Sequence, residues 1–281
     1  MNNRYIFLSG MLRTGSNLLS SILNQNKLIY SEGISAMCDI LWDFKLSISS
    51  ENTKKELIAV NKNDDKKIKK IIGSIFDSYY EKENKIIFDK NSSWTMLENV
   101  KLLKKYVTDK PKIIVLTRDV EDSAKSYVNV LLQNGYSQTD AEQLVFNFND
   151  FGKNPLMRPV AGVMNSKINN DLADFFYIDY DDLISNTEKI INDLYIFCDI
   201  PNFKHSYSNI KIKYSENPEH ILKNMIEVRP EISKRKIDVS LSENALKKIS
   251  DINSLLNKIN IDPKNKDTIK EFESFYENNT Y

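Results

Sequence analysis

The sequence predicts an α/β protein: one domain over residues 1–281, with a central parallel sheet flanked by helices and elaborated by helical insertions. Three observations lead there. Four short apolar runs, Tyr5–Ser9, Ile86–Lys90, Ile113–Arg118 and Phe175–Tyr180, are rich in Ile, Val, Phe or Tyr. Each is followed by apolar residues at helical spacing, the alternation of strand–helix–strand units with a parallel sheet. No internal repeat, low-complexity stretch or linker divides the chain.

The first strand runs through a loop bracketed by Gly10 and Gly15 into a helix carried by Leu18, Leu19, Ile22 and Leu23. A helical insert is expected over about 34–84. Met37, Ile40, Leu41 and Phe44 form one stripe of it, and Ile68, Ile71, Ile72, Ile75, Phe76 and Tyr79 another. The Lys-rich stretch from Lys54 to Lys70 reads as the solvated side of these helices. After the third run, Ala124, Tyr127, Val130 and Leu131 predict a helix that Asn134-Gly135 ends. After the fourth, Ile190, Ile191, Leu194, Phe197 and Cys198 predict another, stopped by Pro201. The C-terminal part, about 205–281, is expected to form a lid and an amphipathic helix over Leu241–Ile259, with Ser240 and Glu243 as its capping box.

Composition narrows the function. Hydrophobic residues make up 41% and charged residues 28%, as in ordinary soluble globular proteins. Lys plus Arg equals Asp plus Glu, 39 each, so no global field draws the chain to nucleic acid or an anionic membrane. Any anion site is built locally. Cys38 and Cys198 lie among apolar neighbours and read as buried, reduced thiols. His205 and His220 are the only histidines and no CxxC occurs, so no metal site is expected. No secretory pattern opens the chain, and no apolar run approaches the roughly 20 residues that span a bilayer; a cytoplasmic location is expected.

Two stretches carry chemistry. In Gly10-Met11-Leu12-Arg13-Thr14-Gly15-Ser16-Asn17, a strand, a glycine-bounded turn and a helix N-terminus make an anion site, because the first helical N–H groups lack internal partners and the macrodipole favours negative charge. The glycine spacing is that of a Walker A loop, which makes the domain P-loop-like. Yet Ser16 stands where the Lys would follow, and the basic residue is Arg13, inside the loop. A glycine pair at such a turn also serves turn geometry alone. In the second stretch, Arg118 ends a strand, where ligands of open α/β sheets bind, and Ser126 lies eight residues on, two turns into the next helix. A strand-end Arg and a helical hydroxyl can converge on one phosphate. The alternative is a surface pairing of Arg118 with Asp119 or Asp122.

Together these stretches resemble the sulfotransferase family, whose sulfuryl donor is 3′-phosphoadenylyl sulfate (PAPS) and whose product is adenosine 3′,5′-bisphosphate (PAP). Arg13-Thr14-Gly15-Ser16-Asn17 is similar to the family's 5′-phosphosulfate loop, and Arg118 with Ser126 to its 3′-phosphate motif. Tyr177-Ile-Asp-Tyr180-Asp-Asp-Leu183 resembles the family's Tyr-Glu-Asp-Leu stretch, whose Tyr approaches the nucleotide; Tyr180 inherits that role. Asp89-Lys90-Asn91-Ser92 resembles the Asp-Lys-Thr-Pro segment of carbohydrate, protein-tyrosine and many bacterial members, without the Pro. The likeness covers roughly residues 4 to 200 and is closer to those members than to the cytosolic small-molecule enzymes, whose catalytic His has no counterpart before His205.

The resemblance implies in-line sulfuryl transfer from PAPS to an acceptor hydroxyl or amine, without a metal. Arg13, Lys90 and the N–H groups of Thr14–Asn17 would stabilise charge on the leaving nucleotide. It also implies a Glu base shortly after the first helix, for which Glu32 is the candidate, followed by Asp89 and then His220. A basic segment over the 3′-phosphate is implied too. Arg229 and Arg235 are the candidates, a solvated loop being the alternative, and the family's Lys-Gly element is missing. The acceptor, a carbohydrate, small molecule or peptide, is expected to meet walls from the insert and from Phe146 to Met164. Two rival readings share the fold: a P-loop kinase-like phosphotransferase, and a non-catalytic nucleotide-binding relative.

Overall fold

The computed structural model describes residues 3–147, 154–212, 222–234 and 236–277. Its centre is an all-parallel sheet of β1 (Arg4–Gly10), β2 (Ile29–Ser31), β3 (Ile86–Lys90), β4 (Lys112–Thr117) and β5 (Asp174–Asp179), in the order β2-β3-β1-β4-β5. Four of these are the expected runs. The fifth, β2, has only three residues, too few to show a period, and exists by pairing Ile29–Ser31 with Ile86–Phe88.

Side-chain alternation along each strand divides the core into two layers. Ile6 and Leu8 of β1, Phe88 of β3 and Ile114 and Leu116 of β4 pack against α1 (Ser16–Leu23), α9 (Tyr180–Ser185) and α10 (Thr187–Phe197). Tyr5, Phe7, Ile87, Ile113 and Val115 face the other way. There they meet α2 (Met37–Ser49), α4 (Asp65–Tyr80), α6 (Val120–Gln133), α8 (Met157–Ile168) and α11 (Glu243–Ile261). Both faces being covered explains why the strands read as near-continuous apolar runs. The single α/β domain with helical insertions is what the sequence predicts.

The insert comprises α2, α3 (Glu51–Ala59) and α4. Its buried stripe on α4 is Ile68, Ile72, Phe76 and Tyr80; Ile71 and Tyr79, placed on that stripe by spacing, are exposed. The stripe is thus narrower than apolar content suggests. Most of the lysines from Lys54 to Lys70 are exposed. Both cysteines are buried and free. Burial pushes both thiols up, Cys198 to about 12. The helix after β4 ends where Asn134-Gly135 predicts, with Gly135 at φ 87.

The C-terminal helix departs from expectation at its start. Ser242, not Ser240, is the N-cap of α11, its hydroxyl accepting from the Ala245 N–H at 3.3 Å. Ser240 is instead held outside the helix, its carbonyl accepting from Gln138 at 3.0 Å. The helix also runs on to Ile261, and α12 (Lys266–Glu277) follows it. No helix among the described residues is long and apolar enough to cross a membrane.

Two consequences are measurable. Gly10 has φ 122, and a Cβ there would lie 2.0 Å from the Leu116 carbonyl oxygen. Gly10→Ala should therefore cost about 2–4 kcal/mol, strain and overpacking combined, read as a lower urea midpoint. Asp89 is fully buried and accepts from Tyr80 at 2.7 Å and Trp94 at 2.8 Å. Burial raises its carboxyl from 3.8 to about 6, against the lowering effect of those donors. A folded-state value above the unfolded one means a contribution fully present below pH 3.8 and lost as pH rises through about 6. The amount is on the order of 3 kcal/mol. Asp89→Asn should flatten that stretch of the stability–pH curve while lowering the curve as a whole, since Tyr80 and Trp94 donate to different oxygens and one of them would face the amide NH2.

Candidate active site

The sheet order reverses about β1, so the chain leaving β1 and the chain leaving β4 part in opposite directions and open a crevice at their C-terminal ends. Here the loop 10–15 meets β4. The Met11 N–H donates to the Leu116 carbonyl at 2.9 Å, one step beyond the strand pairing. The Thr14 hydroxyl closes the turn on the Met11 carbonyl at 2.9 Å. Gly15 then begins α1 at φ 77, with Tyr180 and Leu183 so close that a Cβ would meet them at 3.2–3.5 Å. Arg13 takes φ 57 without being a glycine, a strained conformation of the kind that concentrates at functional sites.

The cavity above this loop, about 370 Å³, is lined by Arg13, Gly15, Ser16, Asn17, Lys90, Arg118, Ser126, Tyr180 and Arg229, all expected from sequence. Arg118 is at its floor, 8% exposed. It donates to the Arg13 carbonyl at 2.8 Å, lies 4.2 Å above the Tyr180 ring, and has the Asp122 carboxylate 3.8 Å away. Its Nε is buried without a partner. A buried guanidinium with an unfilled donor suits an incoming anion. The Asp122 pairing allowed for in the sequence is present, but it leaves Arg118 buried inside the cavity and not on the surface. Arg13 donates from Nε to the Ser126 hydroxyl at 3.1 Å, so the first motif's Arg reaches the second motif's Ser.

Two expected residues stand differently. Thr14 is 1% exposed and does not line the cavity, because its hydroxyl is turned into the loop. Glu32 lies just outside; its neighbours Gly33 and Ile34 line the cavity while its own carboxylate accepts from the Tyr30 hydroxyl. The reserve base Asp89 is buried beneath, with both oxygens taken. Arg235 and His220 fall outside the described residues, as does part of the Phe146–Met164 wall.

The sequence places a lid within about 205–281, and the cavity lining picks out a short segment of it. Residues 225–229 and 231–233 line the cavity, and the Met225 carbonyl accepts from Arg13. This segment is fixed at one end by Asn134, which exchanges bonds with Lys223 at 3.0 and 2.9 Å, and at the other by Lys234 on Asp181 at 2.8 Å. It has no helical or strand period, so only its arginine drew attention. Ser92, also in the lining, follows Lys90 in a turn pinned by Asn91, which reaches the Ser35 carbonyl at 2.9 Å.

The sequence profile of the sulfotransferase family matches residues 5–205. The chain belongs to the sulfotransferase family. The fold of this sulfotransferase is also that of solved relatives. The sulfotransferase domain of the Synechococcus PCC 7002 olefin synthase aligns over 90% of this chain and 94% of its own, at 15% identity and a TM-score of 0.51. A sulfotransferase from Alicyclobacillus acidocaldarius aligns over 78% and 88%, at 13% identity and a TM-score of 0.50. Mouse sulfotransferase SULT7A1, solved in complex with PAP, aligns over 99% and 89%, at 12% identity and a TM-score of 0.50. At such identities the likeness is one of fold. No curated protein matches in sequence.

Proposed function

We propose that this sulfotransferase moves the sulfuryl group of PAPS to an acceptor hydroxyl. One observation carries the reading: Arg118, with its unfilled Nε, Ser126 and Arg13 converge beside the helix-opening loop 13–17 in one cavity. That gives two anion-suited places on neighbouring strand ends, as a nucleotide with separate 3′ and 5′ anions requires. The cavity, about 370 Å³, is within the range of small-ligand sites. In this reading residues 13–17 hold the 5′-phosphosulfate, and Arg118 and Ser126 the 3′-phosphate. Tyr180 supports Arg118 from below, and the segment carrying Arg229 forms the lid.

The acceptor oxygen forms a bond to sulfur while the bond from sulfur to the phosphate oxygen breaks, and PAP leaves with the electron pair. Lys90, at the C-terminal end of β3 and in the cavity lining, stabilises the charge that grows on that oxygen. Glu32 takes the acceptor's proton from beside Gly33 and Ile34. A kinase-like reading fits less well. Ser16 replaces the P-loop lysine, and the Arg118–Ser126 pair has no role in holding a triphosphate.

Arg118→Ala should weaken PAP binding roughly 10- to 150-fold by calorimetry, the loss of a hydrogen bond to a charged group. Unchanged affinity would remove the 3′-phosphate assignment, and stabilisation by ATP with magnesium in preference to PAP would favour the kinase. Lys90→Ala and Glu32→Gln should instead retain PAP affinity and lose turnover in sulfuryl transfer from labelled PAPS to a panel of sugars, phenols and peptides. For the base the loss should be about 10²- to 10⁴-fold. Tight PAP binding without transfer to any acceptor or to water would point to the non-catalytic relative.

A further inference from the structure

We propose that Tyr30 is a positioning residue of the transfer reaction, holding the Glu32 carboxylate in one orientation as a proton acceptor. The inference rests on the reading of Glu32 as the base and adds the group that makes it one. Tyr30 is the middle residue of β2, and Glu32 follows the strand's last residue. β2 pairs with β3 with Tyr30 opposite Ile87, and Asp89 lies two residues beyond Ile87. The Tyr30 hydroxyl donates to Glu32 Oε1.

The phenol that makes this bond is itself fixed. Tyr80 stands edge-on to it at 6.0 Å, and Lys82 Nζ lies 4.6 Å from its ring centroid. Tyr80 is anchored in turn by bonds to Asp89 at 2.7 Å and Ser35 at 3.2 Å. The main chain of residue 32 is held independently, its carbonyl accepting from the Ser20 hydroxyl on α1 at 3.2 Å. Backbone and carboxylate are thus tied to different elements, which leaves the side chain little rotational freedom. The titratable groups that face the pair are Tyr80 on α4 and Asp89 on β3 toward Glu32, and Tyr79 on α4 and Lys82 after it toward Tyr30.

Burial, and then the neighbouring carboxylate, push the Tyr30 hydroxyl well above the ordinary phenol range. It therefore stays protonated and donates at any working pH. A charge-assisted hydrogen bond from a phenol is short and directional, so it fixes where the accepting oxygen of Glu32 points.

The test follows transfer from PAPS to water, that is PAPS hydrolysis to PAP, with PAP affinity measured in parallel by calorimetry. Tyr30→Phe should lower turnover on the order of 10- to 100-fold while the KM for PAPS and the PAP affinity stay unchanged. Replacing Tyr30 by 3-fluorotyrosine, which keeps both the shape and the donor, should restore turnover. Replacing it by 4-fluorophenylalanine, which keeps the size and removes the donor, carries the test if Tyr30→Phe fails to fold. The proposal is overturned if Glu32→Gln loses turnover while the variants without the donor keep it. Undiminished turnover in Glu32→Gln would instead overturn the base itself, whatever Tyr30 does.

Discussion

The close approach of β1 to β4 at Gly10 is the constraint on which the site depends. At that point the two backbones are near enough that a single added carbon would sit 2.0 Å from the Leu116 oxygen. Without a Cβ, β1 can turn away from the sheet while still bonded to β4 through Met11. The turn delivers the loop 11–15 directly over the end of β4, where Arg118 grips the Arg13 carbonyl at 2.8 Å. The loop is therefore shaped by the strand that carries the other half of the site. Neither motif is complete by itself, because the Arg of one bonds the Ser of the other.

Strand alternation also sends Asp89 down into the layer that carries the insert and leaves its neighbour Lys90 at the cavity. Asp89 then binds Tyr80 of the insert and Trp94 of the following turn, so one buried carboxylate ties α4 to the loop beside Lys90. Helix α1 lies on the opposite layer, and its first residues line the same cavity as Lys90.

What was legible in the sequence follows from how local each cause is. β3 was readable at Ile86–Lys90 because five apolar-rich residues lie between polar flanks, whereas β2, three residues long, exists only by pairing with it. The Gly10–Asn17 loop and the Arg118–Ser126 spacing were readable because backbone geometry forces glycine and strand-end arginine into fixed positions. Local text favours Ser240, with Glu243 three residues on; the cap falls instead on Ser242, which Glu142 of a distant helix binds through both its N–H and its hydroxyl. That the Thr14 hydroxyl closes the turn on the Met11 carbonyl, three residues back, was not readable from the sequence. The lid was readable only as somewhere within about 205–281 for a similar reason: Met225 reaches Arg13 across 212 positions of chain, and no period in its own segment announces it.

A chain with 39 basic and 39 acidic residues has no excess charge to draw an anion, so the proposed anion site rests on arrangement. Arg118 shows how. Its charge is held in the buried floor by a carbonyl and by an aromatic face, with Asp122 no nearer than 3.8 Å. Carbonyl and ring orient the guanidinium without cancelling it, as a close carboxylate would. Its Nε remains the one buried guanidinium nitrogen without a partner among the described residues. The polar group the fold leaves unsatisfied is thus the one to which the proposed function assigns the 3′-phosphate, whose arrival would offset the cost of burying it.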